Sequence, residues 1–312
     1  MENAYLGIEI GGTKLQLFLG DAQSTIIYRY KTNVGEIKEA SCIKNVIQEA
    51  LKNEIFPLGY NIKAIGIGFG GPVDKTNGRI INSYHINGWK DFGIVHWVKQ
   101  LINVPVFLEN DANLAALAEA QIGAGQNAKL VYYITIGSGI GGGFIIDKSI
   151  YNGSGIAESE IGHLRLKKSG SIFQSECSGW AINEKIRNAT LKFPESKLAQ
   201  LVNGDTDSEA KYLKQALLYN CPVAEQIYSE LTDNIAFALS HVVHLLNPEI
   251  IIIGGGLSQM GEMLATSVKE KIQDYLMDVM RPGPLICISE LKEDVVVAGA
   301  LFLAIEKYSL NN

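Results

Sequence analysis

Three segments of the sequence concentrate glycine directly after runs of β-prone residues. They are residues 7–14 (GIEIGGTK), residues 135–143 with five glycines in nine positions, and residues 253–258 (IGGGLS). Glycine lets backbone N–H groups come close to an anion, so such turns are suited to bind phosphate. In the first segment, Thr13 adds a hydroxyl donor and Lys14 adds a cation, although the spacing is not that of a Walker A motif.

Each of these turns also has a simpler interpretation. The first could be an ordinary β-hairpin turn and the third a tight connection between a strand and a helix, and the residues alone leave both alternatives open. The second is harder to explain in this way, because every glycine adds backbone entropy that folding must overcome. Three such turns after three predicted strands jointly favour phosphate binding.

Carboxylates and amides are grouped in residues 109–113 (ENDAN), at the predicted end of a strand and start of a helix. Asp111 or Asn110 could be the N-cap of that helix. Asp111 could instead be a general base that takes a proton from an alcohol attacking phosphorus. A second polar pair, Glu160 and His163, could hydrogen-bond vicinal hydroxyls or could lie in a solvated loop.

Other candidate ligands are weaker. The four cysteines show no C-x-x-C spacing, so neither a disulfide framework nor a cysteine-rich zinc site is expected, and the reducing cytosol is the simplest compartment. His241 and His244 lie three residues apart on a predicted helix, with no third metal ligand in view. The tryptophans are expected to be packing residues: Trp89, Trp97 and Trp180.

The composition of the 312-residue chain excludes several classes of protein. Hydrophobic residues make up 47% and charged residues 19%, which argues against disorder. The net charge of −6 argues against general affinity for nucleic acid. The longest uncharged run, residues 130–146, contains five glycines and is a poor candidate for a membrane span. No secretory signal is evident at the N-terminus.

The order of predicted elements indicates an α/β fold. Residues 5–10, 15–19 and 26–30 predict three strands, and residues 130–136 and 143–146 repeat the pattern of strand, glycine turn and strand. Apolar spacing predicts helices over residues 36–51, 95–101, 112–123, 181–188, 208–246 with a break near Pro222, 260–278 and 295–306. We therefore expect two lobes of duplicated architecture, with a boundary near residues 111–113.

Six motifs, in this order, resemble those of the ROK family of sugar kinases within the actin/hexokinase-like superfamily. The resemblance extends from about Tyr5 to Ala304. The motifs are a first phosphate motif (7–14), a G-G-x-V-D turn (70–74), E-N-D-A-N (109–113), a second phosphate motif (137–143), E-x-G-H (160–163) and an adenosine motif (254–256).

The resemblance implies a role for each matched residue. Asp111 would be the catalytic base, and Glu9 would help to hold hydrated Mg²⁺, with ATP as the co-substrate. The substrate-binding residues would be Gly71, Asn82, Ser83, Asn110, Gly139, Glu160 and His163. The nucleotide-binding residues would be Gly11, Gly12, Thr13, Lys14, Ser138, Gly254, Gly255 and Gly256.

The implied fold has two RNase H-like, actin-like ATPase lobes with an active-site cleft between them. The N-terminal lobe would comprise residues 1–112 and 298–312, and the C-terminal lobe residues 113–297. The implied activity is ATP-dependent phosphorylation of a hexose or hexose derivative, such as glucose, fructose or an N-acylhexosamine, at the 6-hydroxyl. We expect a cytoplasmic homodimer without nucleic-acid or membrane partners.

The sequence departs from the family pattern in three places. The family often carries a C-x-C-G-x-x-G-C zinc segment after E-x-G-H, whereas residues 164–174 contain no cysteine and Cys177 alone cannot build a tetrahedral site. No structural zinc is therefore predicted. Gln174 stands where the family has a glutamate, which changes one expected sugar contact. Glu9 replaces the commoner aspartate and keeps its carboxylate.

Two functions without catalytic turnover are the alternatives. A ROK-type transcriptional regulator would carry an added N-terminal helix-turn-helix, for which the strand predicted from Tyr5 leaves no room. A sugar-binding sensor would keep the fold but not the reaction. The presence of Asp111 and all three glycine turns favours the kinase.

Overall fold

The computed structural model describes residues 1–83, 86–157 and 159–310. The strands are β1 (Asn3–Ile10), β2 (Lys14–Gly20), β3 (Ile26–Asn33), β4 (Asn61–Phe69), β5 (Val73–Asp74), β6 (Arg79–Ile80), β7 (Val106–Asn110), β8 (Leu130–Ile136), β9 (Ile140–Ile146), β10 (Ser149–Ile150), β11 (Ile250–Gly254) and β12 (Leu285–Ile288). The α-helices are α1 (Ala40–Ala50), α2 (Ile94–Leu101), α3 (Asp111–Ile122), α4 (Phe173–Cys177), α5 (Gly179–Lys192), α6 (Lys197–Val202), α7 (Leu213–Leu218), α8 (Pro222–Leu246), α9 (Glu262–Lys271) and α10 (Val295–Leu310). Within these described ranges, no helix has the length and apolarity needed to cross a membrane.

The chain divides into two compact units. The first comprises Met1–Gln121, Lys148–Glu158 and Glu293–Asn312, and the second comprises Ile122–Asp147 and Ser159–Lys292. Each unit has its own sheet and its own apolar core. The predicted α/β class is confirmed, whereas the lobe boundaries implied by the family resemblance stay a prediction.

The sheet of the first unit has the strand order β3-β2-β1-β4-β7. β1 pairs antiparallel with β2 and parallel with β4, and β4 pairs parallel with β7. β1 is buried at every residue after Asn3, as expected of a strand covered on both faces. β3 instead alternates between exposed and partly buried residues, because it lies at the edge of the sheet.

Small residues allow α10 to approach this sheet closely. A Cβ atom on Gly7 would lie 2.6 Å from the carbonyl oxygen of Val297, and a Cβ on Gly66 would overlap the carbonyl oxygen of Ala300. On the helix itself, a Cβ on Gly299 would overlap the carbonyl oxygen of Leu114 in α3. Glycine at these three positions therefore lets β1, β4, α3 and α10 pack backbone to backbone.

The second unit repeats the same arrangement of a hairpin beside parallel strands. Its strands have the order β9-β8-β11-β12, with β8 antiparallel to β9 and parallel to β11, which is parallel to β12. The four consecutive isoleucines that begin at Ile250 form the buried strand β11. The predicted duplication of strand, glycine turn and strand is thus present in both sheets.

Several predicted helix boundaries were wrong. Helix α1 begins at Ala40 rather than at residue 36, because the backbones of Lys38 and Ala40 are bonded to Asn87. Helix α9 ends at Lys271, and the chain continues through a short 3₁₀ segment, Ile272–Asp274. Helix α5 begins before residue 181, because the Ser178 side chain caps it through the Ala181 N–H.

The tryptophans do not share one environment. Trp89 is fully buried and packs edge-on against Phe69 and Phe92, as predicted for a packing residue. Trp180 is 57% exposed, so its predicted packing role was wrong. It is the second residue of α5, where the side chain is directed away from the buried positions of that helix, such as Ile182 and Ile186.

The close approach of α10 predicts a large penalty for any side chain at Gly66. In Gly66→Ala, the added methyl would force α10 away from β4, and we expect a loss of about 3 kcal/mol in the free energy of unfolding. Urea titration followed by tryptophan fluorescence, to which the buried Trp89 contributes, measures the change. Gly155→Ala is the control, since a Cβ there would meet none of the described atoms within 4 Å. Equal stability of the two variants would contradict the packing described here.

Candidate active site

The three parallel strands of the first unit, β1, β4 and β7, end at residues that are in register with one another. Ile10 is in register with Phe69, and Phe69 is in register with Asn110. The residues that follow the three strands therefore lie at the same edge of the sheet: Gly11, Gly70 and Asp111. They are also close in space, because a Cβ on Gly70 would lie 3.3 Å from Asp111 Oδ2 and 3.8 Å from Gly11 Cα. A candidate base thus lies beside the first glycine turn.

The side chain of Asn110 organises the start of α3. Its Oδ1 accepts hydrogen bonds from the N–H groups of Ala112 (2.9 Å) and Asn113 (3.4 Å), and its Nδ2 donates to the Gly71 carbonyl (3.1 Å). Asp111 is the first residue of the helix, and its Oδ1 lies 2.8 Å from the Ala112 N–H. Asn110 therefore supplies the bonds of an N-cap, and the helix does not depend on Asp111 for this role.

Glu109 stabilises the junction between β7 and α3 through hydrogen bonds. The sequence did not reveal this role. The buried Glu109 carboxylate accepts from the Asn110 N–H at 2.9 Å and from Asn113 Nδ2 at 3.1 Å. Lys75 Nζ lies 3.2 Å from Glu109 Oε2 and offsets its charge. Glu109 is the first residue of the E-N-D-A-N motif and Lys75 directly follows the G-G-x-V-D turn, but only the fold shows that they form an ion pair.

Glu9 is a second buried carboxylate at this edge. It is 5% exposed, and its Oε2 accepts from Gln16 Nε2 at 2.6 Å. Burial raises the pKa of Glu9 to about 7, and the charge of Asp111 adds to the increase. The charges of Lys14 and Lys31, together with the Gln16 hydrogen bond, act in the opposite direction but do not restore the usual pKa of the carboxyl.

The remaining predicted residues of the first unit surround these groups. The first turn is closed by a bond of 3.0 Å from the Gly11 N–H to the Lys14 carbonyl, with Gly12 and Thr13 between them. The Asn82 carbonyl would lie 3.0 Å from a Cβ on Gly71. Ser83 Oγ accepts from the Ile86 N–H at 3.2 Å. Tyr84 and His85 lie outside the described residues.

The second glycine turn lies at the end of β8 in the second unit. It is closed by a bond of 2.9 Å from the Gly137 N–H to the Gly139 carbonyl, with Ser138 at its tip. A Cβ on Gly137 would meet no atom of the described residues within 4 Å. Internal packing therefore does not explain glycine at position 137, whereas close approach of a ligand would.

The third turn lies beside the second, because Gly254 is in register with Thr135. Gly255 has a φ of +79°, and a Cβ there would lie 2.6 Å from the backbone of Ile136. Gly254 packs against the Tyr133 hydroxyl. The tight strand-to-helix connection considered above thus accounts for these two glycines. A Cβ on Gly256, as on Gly137, would meet nothing within 4 Å in the part of the chain that the structure describes.

The E-x-G-H segment packs on the start of β9. A Cβ on Gly162 would overlap the carbonyl oxygen of Ile140. Glu160 and His163 flank this contact, with 3.9 Å between Glu160 Oε2 and His163 Nδ1 and with both side chains about half exposed. The pair is accessible to a polar ligand, as the hydroxyl-binding interpretation requires.

Backbone bonds hold residues 164–174, the segment in which no structural zinc is predicted. The Phe173 N–H donates to the Leu164 carbonyl at 2.7 Å, and the Leu166 N–H donates to the Ser171 carbonyl at 3.2 Å. Cys177 is buried, which raises its thiol pKa to about 12 and disfavours the thiolate that zinc binds. Among the described residues, no group of three His, Cys, Asp or Glu side chains could hold a metal ion.

Comparison with known proteins identifies the family. The sequence matches the ROK family over residues 5–307, so the chain belongs to the ROK family. It is 28% identical to a glucokinase from Thermotoga maritima, over 97% of each chain. It is 25% identical to a xylose repressor from Caldicellulosiruptor bescii, over 96% of this chain and 77% of the repressor.

A solved structure shows the same fold. The crystal structure of a ROK family glucokinase from Streptomyces griseus, in complex with glucose and AMPPNP, superimposes with a TM-score of 0.84 at 28% identity. The similarity covers 97% of this chain and 99% of that one. The actin-like ATPase fold implied by the six motifs is therefore confirmed.

The raised pKa of Glu9 predicts a pH-dependent stability. Because the folded state binds this proton more tightly than the unfolded state, the stabilisation is complete below pH 4.5 and is lost as the pH rises through about 7. In Glu9→Gln, this loss disappears. We expect the variant to gain stability over wild type by about 1 kcal/mol between pH 6 and pH 8.5.

Urea titrations at pH 6, 7 and 8.5, without nucleotide or metal, measure this difference. Glu2→Gln, which alters an exposed carboxylate, is the control and should show no such trend. A Glu9→Gln advantage that does not grow with pH would show that Glu9 is already ionised at pH 6.

Proposed function

We propose that this protein is an ATP-dependent sugar kinase that phosphorylates a hexose or an N-acylhexosamine at its 6-hydroxyl. The observation that carries the proposal is the position of the Asp111 carboxylate, at the carboxyl edge of three parallel strands and against Gly70 and the first glycine turn. The glucokinase relatives support it, since they match nearly the whole chain.

Asp111 is proposed to act as the general base. Its carboxylate accepts the proton of the sugar hydroxyl while that oxygen forms a bond to the γ-phosphorus of ATP. The bond between this phosphorus and the bridging oxygen breaks, and ADP leaves with the bonding electrons. General-base help of this kind typically contributes ~10²–10⁴-fold in rate. Asn110, Gly71, Asn82, Ser83, Gly139, Glu160 and His163 are proposed to bind the sugar.

The glycine turns are proposed to bind the nucleotide through Gly11, Gly12, Thr13, Lys14, Ser138 and Gly254–Gly256. The open backbone at Gly137 and Gly256 supports this proposal, because none of the described residues would contact a side chain at either position. Mg²⁺ usually keeps several waters and takes one or two carboxylates, so the Glu9 carboxylate, which lies close enough to Asp111 to sense its charge, fits as the group that would help to hold hydrated Mg²⁺. When bound, Mg²⁺ would offset the charge of the triphosphate. Cytoplasmic location and a homodimer stay predictions from the resemblance.

A sugar-responsive regulator without turnover is the second candidate, because a xylose repressor is also similar over most of its length. Both candidates would bind a sugar, but only the kinase would consume ATP when the sugar is added. The two are therefore separated by ADP release and by sugar binding measured on the same preparation.

Asp111→Asn should lower kcat by ~10²–10⁴-fold, because the amide keeps the shape of the carboxylate but cannot accept the proton. The measurement is ADP release with Mg·ATP across glucose, fructose, mannose and N-acylhexosamines. Calorimetry should show that the variant still binds the sugar that wild type phosphorylates. Asp21→Asn, in the exposed β2–β3 turn, is the control and should keep wild-type turnover.

Near-wild-type turnover of Asp111→Asn would exclude Asp111 as the base. Sugar binding by wild type without ADP release on any sugar of the panel would favour the regulator.

A further inference from the structure

Gln174 in α4 makes a direct contact with the second glycine turn. Its side-chain Oε1 accepts a hydrogen bond of 2.9 Å from the N–H of Ile140, the residue that follows Gly139. The same oxygen would lie 2.9 Å from a Cβ on Gly139 and 3.4 Å from a Cβ on Gly162. Glycine at both positions therefore leaves room for the Gln174 amide to reach the backbone of the turn.

The other end of the turn is held by the same stretch of chain. The Gly179 N–H donates to the Gly137 carbonyl at 2.6 Å, just beyond the C-terminal end of α4. Residues 174–179 thus bond to the turn on both sides of Ser138. α4 can serve as an anchor because Phe173 is fully buried and its N–H is bonded to the Leu164 carbonyl.

We propose that Gln174 is a positioning residue for the phosphate groups of the nucleotide, and that it acts through the Ile140 N–H rather than by contacting the sugar. This inference rests on the proposed function, which assigns the turn around Ser138 to the nucleotide. The glycines of the turn give its backbone wide freedom, and any freedom left in the unbound protein must be lost when phosphate binds. A fixed acceptor on Ile140 removes part of that freedom before binding.

The proposal depends on a hydrogen-bond acceptor and not on the amide as such. A glutamate at position 174 would supply the same acceptor oxygen, whereas methionine has a similar length and no comparable acceptor. Gln174→Met therefore removes the bond to Ile140, and Gln174→Glu keeps it. Gln200→Met, on the exposed face of α6, is the matched control.

The experiment is calorimetric titration of each variant with ADP and Mg²⁺ and, separately, with the sugar that wild type phosphorylates fastest. For Gln174→Met we expect the Kd for ADP to rise about tenfold, in line with the loss of one partly buried hydrogen bond. The sugar Kd should stay within about twofold, and both ADP and sugar affinities of Gln174→Glu should stay within about threefold of wild type.

Each of the other outcomes would contradict either the role of Gln174 or the proposed function. If wild type binds ADP and the Kd for ADP is unchanged in Gln174→Met, the proposed role of Gln174 is wrong. The proposed function would not be affected by that result. A larger loss of sugar affinity than of ADP affinity would make Gln174 a sugar contact. Failure of Gln174→Glu to preserve ADP binding would show that packing, and not the acceptor, matters. A wild-type protein that does not bind ADP would refute the proposed function itself.

Discussion

The parallel pairing of β1, β4 and β7 determines where chemistry can occur in the first unit. Their ladder holds Ile10, Phe69 and Asn110 at one level, so the chain leaves the sheet three times at the same edge. A slip of one residue in any of these pairs would send its side chains to the opposite face. The proximity of Asp111, Gly70 and the first glycine turn is thus a consequence of strand register.

Close packing of backbones fixes the positions of the helices relative to this sheet. Gly7 and Gly66 admit α10 against β1 and β4, and Gly299 admits α3 against α10. Because α3 begins at Asp111, the position of the candidate base depends on contacts that begin three residues further on, at Leu114. Larger residues at these points would separate the layers and move the start of α3 relative to the sheet.

The sequence was sufficient for the elements and motifs that depend on local pattern. The glycine turns, the buried strands and the break before Pro222 follow from residue type and spacing. The sequence did not show whether Asn110 or Asp111 caps α3. Both are good capping residues, and only the hydrogen bonds distinguish them. Three further features depend on the tertiary fold and not on local pattern. They are the ion pair of Glu109 with Lys75, the hydrogen bond from Ile140 to Gln174 and the exposure of Trp180.

Two carboxylates at one sheet edge set the electrostatics of the candidate site. Burial and the charge of Asp111 raise the pKa of Glu9 to about 7, against the opposing charges of Lys14 and Lys31. A group balanced near neutrality responds to any charge added nearby: a cation favours its ionised form, and an anion favours its protonated form. Under the proposed function, a bare triphosphate would be repelled by the charge of Asp111 and would favour the protonated form of Glu9. Under the proposed function, a triphosphate that arrives with a divalent cation, the form in which kinases generally use ATP, would instead favour the ionised form of Glu9.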